Sequence, residues 1–172
     1  MKRSITRLVP APEGFTLVEL AVVLVLMGLM AAVAVPGLHD FHARYALRTA
    51  AYQMAADIRG LQGEAAGCRS KGLTSEGTIF LVCFYPEAES YKLQRTGGGS
   101  WSRTVTLNPG IDLLGSTFTG GRLVIGLSGV PSAGGTVSLR STATGDVLYV
   151  IVTSLTGRVR VSRTPPESWE VG

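Results

Sequence analysis

Gly14-Phe15-Thr16-Leu17-Val18-Glu19-Leu20 opens an apolar run that continues from Leu20 to Val35 without a charged or strongly polar residue. The run is long for a core helix and close to the shortest that spans a membrane. Taken from Phe15 to Leu38 it makes about 36 Å of helix at ~1.5 Å per residue, enough to cross a hydrocarbon layer of about 30 Å. One carboxylate, Glu19, lies inside it, and no Lys or Arg stands between Thr16 and Arg44. An unpaired charge is costly in lipid. The expected partner for Glu19 is therefore a group on another chain, or an amine made by cutting this one.

Ahead of the run, residues 1–14 are short and basic. Lys2, Arg3 and Arg7 against Glu13 give them a net +2, half of the chain's formal +4. Pro10 and Pro12 lead us to expect a disordered leader, held on the cytoplasmic side by its positive charge. Basic leader, Gly-Phe-Thr-Leu-Val-Glu and apolar helix together resemble the processing site of type IV prepilins and type II secretion pseudopilins. The resemblance implies that a membrane-bound prepilin peptidase cuts after Gly14 and methylates Phe15. It implies that Glu19, fifth in the mature chain, pairs with the Phe15 ammonium of a neighbouring subunit. Pro36 falls where the family has a helix-bending proline. A rival reading is an ordinary secretory signal cut after Ala32-Val33-Ala34. That reading leaves Glu19 without a purpose and sets Pro36 close behind the cut; the mature N-terminus distinguishes the two.

Beyond Pro36 the chain turns polar at once, with His39, Asp40, His42, Arg44 and Arg48. Leu47, Ala51, Met54, Ile58, Leu61 and Ala65 then recur at spacings of four and three, one face of a helix. The helix is expected to run to about Ala66, bent near Pro36, with Gly60, Gly63 and Gly67 marking its end. Its apolar face needs a sheet to lie on. His39, Asp40 and His42 are either a metal-ligand set or, the plainer reading, a solvated helix surface.

From Thr78 the pattern is that of strands. Thr78–Tyr85 is apolar on both faces and reads as a central strand, with Ser90–Arg95 as its hairpin partner and Trp101–Leu107 as a third. Arg122–Ile125, Gly135–Arg140, Val147–Thr153 and Arg158–Arg163, separated by glycine-rich turns, read as a meander of antiparallel strands. No Lys-Ser or Lys-Thr follows Gly97-Gly98-Gly99-Ser100, so that loop is no phosphate cradle. The expected class is α+β: a long N-terminal hydrophobic helix, half transmembrane and half amphipathic, packed on an antiparallel β domain. The expected divisions are a leader (1–14), an assembly helix (15–37), the amphipathic half (38–67), the β domain (68–164) and a loose tail (165–172).

The C-terminal pattern, with Phe118, Gly126–Ser132, Gly135–Arg140 and Thr156-Gly157-Arg158-Val159-Arg160-Val161, is similar to the GspH/FimT branch of pseudopilins and minor pilins. The resemblance implies a single-pass protein of the bacterial inner membrane, its β domain in the periplasm or on the cell surface, and other pilins or pseudopilins as partners. In FimT-like minor pilins a Gly-Arg-x-Arg motif is associated with binding DNA during natural transformation. Gly157-Arg158-Val159-Arg160 matches it, with Arg163 a third candidate for double-stranded DNA. Guanidiniums two apart on a strand share a face and suit phosphates; the same string also makes an ordinary solvated sheet edge.

Cys68 and Cys83 are an even pair in an exported domain, either one disulfide or two buried thiols. No Ser/His/Asp arrangement, paired carboxylates or zinc-spaced Cys/His set stands out, so no enzyme activity and no cofactor or metal is expected. A weakly basic mature chain is by itself no nucleic-acid signal.

Overall fold

The structure, a computed structural model, describes residues 14–70, 77–97 and 99–167; the side chains of 33–36 and 70 are outside the described set. The expectations for the leader and the end of the tail fall on 1–13 and 168–172, which lie outside it too. The chain divides after His39 into two units.

Helix α1 spans Leu17–Ser70. It is followed by β1 (Ile79–Tyr85), β2 (Ser90–Thr96), β3 (Trp101–Thr106), β4 (Ile111–Ser116), β5 (Arg122–Ile125), β6 (Gly135–Ser141), β7 (Val147–Val152) and β8 (Val159–Ser162). Pro36 lies inside α1. The helix outlasts the end expected near Ala66. A Cβ added at Gly60, Gly63 or Gly67 would meet nothing within 4 Å. Each glycine costs a helix about 1 kcal/mol relative to Ala, and burial of Leu61, Ala65 and Cys68 offsets that.

The strands do not form one meander. They make two four-stranded antiparallel sheets, ordered β3-β2-β1-β5 and β4-β6-β7-β8. Turn residues fix where the chain reverses, but not which strand it then lies against. β1 is central, as its two apolar faces require. β4 was not expected at all. Its alternation is broken where Leu113 pairs with Leu139 and Gly115 with Ser138, leaving Leu114 extra and exposed, a bulge.

The core is one cluster. Leu47, Ala51, Met54, Ile58, Leu61 and Ala65 of α1 meet Phe80, Val82, Tyr91 and Leu93 of the first sheet and Leu113, Val137, Leu139 and Val150 of the second. Cys68 belongs to this cluster. Cys83 is buried outside it, because it alternates with Val82 and Phe84 and so points to the other face of β1. Both cysteines are free and buried in this structure.

Glu89, at φ +43, is the one non-glycine residue among those described with a positive φ. Its carbonyl accepts a hydrogen bond from Leu107 N–H, 2.8 Å, and its carboxylate accepts one from Leu113 N–H. The β1–β2 turn is thereby tied to β4 of the other sheet.

Polar groups on the flanks of α1 finish the packing. Asp57, 8 % exposed in its side chain, accepts from Arg103 at 2.7 Å and from the Tyr91 hydroxyl at 2.6 Å. Two turns on, Glu64 accepts from Trp101 Nε1 at 2.9 Å. Burial, then the Asp57 carboxylate, push the Tyr91 phenol far above its ordinary value of 10.0. Stability gained from a neutral Tyr91 is fully present below pH 10 and is lost as pH rises beyond it. Tyr91→Phe should cost about 1–2 kcal/mol at neutral pH. Thermal melts across the alkaline range should show the variant losing stability less steeply than the parent chain above pH 10.

Candidate assembly segment and arginine sites

In the first unit, Gly14, Phe15 and Thr16 precede the helix. Thr16 caps it. Leu20 N–H donates to the Thr16 carbonyl at 3.1 Å, and Glu19 N–H donates to Thr16 Oγ1 at 3.2 Å. Thr-x-x-Glu is the spacing of a capping box, a signal the sequence reading did not use. It places the Glu19 carboxylate in the first turn, where the positive end of the helix dipole favours it. The peptide bond after Gly14 is thus in exposed, non-helical chain just before the cap. A Cβ at Gly14 would meet nothing within 4 Å, so this chain's own packing does not require the glycine.

Every large apolar side chain from Phe15 to Met30 is exposed, from Val23 at 45 % to Leu17 at 85 %. A helix apolar all round belongs in a core or a membrane. Among the described residues no single helix is long and apolar enough to cross a membrane; Leu17–Ala32 and Gly37–Arg69 meet the test of length and composition only together.

In the second unit, the Gly157 turn is held to α1 on both sides. Gln62 Nε2 donates to the Gly157 carbonyl at 2.8 Å, and Arg59 donates to the Val159 carbonyl at 2.6 Å. Gly157 has φ +65, and a Cβ there would lie 3.0 Å from Gln62 Nε2 and 3.1 Å from Pro131. Gly129, at φ +78, comes as close to the same turn of helix: its Cβ would be 2.8 Å from the Gln62 carbonyl oxygen. The glycine of Gly157-Arg158-Val159-Arg160 therefore has a packing role of its own.

Arg158 is exposed and Arg160 half-buried, while Val159 is buried in the core. Arg163 follows the end of β8 and lines a groove with Arg44 and Arg48 of α1; neither Arg158 nor Arg160 lines it. His39 and His42 are exposed, and no group of three or more His, Cys, Asp or Glu is placed to hold a metal among the described residues.

Residues 12–35 match the family described as the prokaryotic N-terminal methylation motif. The chain therefore carries a type IV pilin-like N-terminus ahead of a pilin-like α+β architecture. The motif implies processing by a prepilin peptidase and filament assembly, and the hydrophobic helix is consistent with membrane anchoring beforehand. Neither curated proteins nor solved structures give a match to the chain.

Gly120 offers a matched control for Gly157: φ is +64 at Gly120, with nothing within 4 Å of an added Cβ. A left-handed alanine costs about 1–2 kcal/mol. Both Gly120→Ala and Gly157→Ala should show that loss in denaturant unfolding, and Gly157→Ala should lose about 1 kcal/mol more, for crowding Gln62 and Pro131.

Proposed function

We propose that this chain is a structural minor subunit, a pseudopilin or minor pilin of the GspH/FimT branch, in a type II secretion or type IV pilus filament. The precursor is anchored in the bacterial inner membrane by a single pass, with residues 68–164 forming the β domain outside the cytoplasm. Prepilin peptidase removes 1–14 and methylates Phe15. The helix from Phe15 to Leu38, bent at Pro36, then packs among the helices of other subunits.

The observation that carries this reading is the exposed apolar surface between Phe15 and Met30. Removing each such side chain from water is worth about 1.5–3 kcal/mol. The whole stretch in water would forfeit tens of kcal/mol, more than the roughly 5–15 kcal/mol that holds a domain folded. Lipid covers it before assembly and neighbouring helices cover it afterwards. In either surrounding Glu19 needs an opposite charge, and the chain left once 1–14 are removed carries no Lys or Arg before Arg44. The amine created at Phe15 of a neighbouring subunit supplies one.

Intact-mass measurement on protein from its host should find a chain beginning at methylated Phe15; one beginning at Met1 or Val35 with an unmodified terminus would overturn the proposal. Gly14→Leu should leave the precursor uncut yet melt at the parent temperature, since no neighbour lies within 4 Å of the added Cβ. Glu19→Ala should insert in the membrane and fail to assemble.

A second reading, DNA uptake through Arg158 and Arg160, is favoured by the exposure of Arg158 on a turn clamped by Gln62 and Arg59. It requires a shift of labelled duplex at low salt that is lost in Arg158→Gln with Arg160→Gln.

A further inference from the structure

The groove that takes in Arg163 has a composition of its own. It is an open cavity of about 470 Å³, lined by Arg44, Leu47, Arg48, Asp146, Leu148 and Arg163. A second cavity of about 240 Å³ shares Arg48, Leu148 and Arg163 with it and adds Tyr52 and Val161. The two form one trough between α1 and the edge of the second sheet. Arg44 is paired with Asp146 at 3.2 Å. Arg48 and Arg163 have no ion-pair partner among the described residues. Both are exposed, and they are the cations that the two cavities share. Leu47 and Leu148 are buried beneath them, and Tyr52 is exposed alongside.

We infer that this trough is a docking site for an acidic polypeptide segment, whose carboxylates pair with Arg48 and Arg163 while its apolar side chains lie on Leu148, Val161 and Tyr52. Guanidinium suits carboxylate because it offers two parallel donors to two oxygens. Two features favour polypeptide over nucleic acid. Asp146 is paired with Arg44, so that cation is not on offer to a phosphate chain, whereas a polypeptide can place its carboxylates singly on the two that remain. Two free guanidiniums are also few for a polyanion: each neutralised phosphate contributes only about 0.9 to the salt dependence that drives such binding. Beside these charges the trough is lined by Leu47, Leu148, Val161 and Tyr52. The inference is independent of the filament reading, since neither Gly14, Phe15 nor Glu19 enters it.

The test uses the full chain in detergent micelles and fluorescence anisotropy. The probes are a labelled peptide alternating Glu with Leu, the same peptide with Gln for Glu, and a labelled single-stranded oligonucleotide. The Glu peptide should bind and the Gln peptide should bind at least about tenfold more weakly, as should the Glu peptide to Arg48→Gln with Arg163→Gln, tenfold being the loss of roughly one charge-assisted pair. Arg122→Gln, an exposed arginine outside the trough, should bind the Glu peptide like the parent chain. Circular dichroism should show the double variant folded, both side chains being exposed. Equal binding of the Glu and Gln peptides, no binding of either, or an unchanged double variant would overturn the assignment. So would an oligonucleotide that binds more tightly than the Glu peptide and is lost in the same double variant.

Discussion

The β domain depends on one constraint: a single helix face must serve two sheets at once. The same side chains of α1, from Leu47 to Cys68, sit in one cluster with residues of both sheets. Small residues make that geometry reachable. Ala51, Ala55 and Ala65 are fully buried, and where even alanine would be too large, at Gly129, the loop backbone approaches the helix carbonyl directly. Interiors are packed too densely to absorb an extra methyl without movement elsewhere. The placement of the glycine turns therefore follows from the helix, not only from the need to reverse the strands.

The polar flank of the same helix is used almost as fully as its apolar face. Asp57 and Glu64 hold β2 and β3 through Tyr91, Arg103 and Trp101, while Arg59 and Gln62 hold the start of β8. These bonds are directional, which burial is not, so they fix the register of a helix that could otherwise slide along an aliphatic surface. The segment from Phe15 to Met30 is of another kind. It has apolar surface on every side and one carboxylate, Glu19.

Much of this was legible in the residues. Spacings of three and four revealed the core face of α1, and the two-sided apolarity of Ile79–Tyr85 revealed a central strand. The motif at Gly14–Glu19 was plain, although its capping spacing from Thr16 to Glu19 went unused. β4 was hidden because the bulge at Leu114 and Gly115 destroys its alternation. The division into two sheets was hidden because partner choice depends on long-range packing that strand periodicity does not encode. The helix end was misplaced because glycines on an unobstructed face interrupt propensity without interrupting burial.

The two cysteines, Cys68 on α1 and Cys83 on β1, are sheltered in unequal ways. Cys83 lies directly between Lys92 and Arg122 on its neighbouring strands, whose long aliphatic stems can cover a thiol and also swing aside. Cys68 is enclosed by the core cluster itself. An alkylating reagent would thus reach the first by rotamer motion and the second only through cooperative opening, giving the protein two built-in clocks that read surface breathing and core rupture separately.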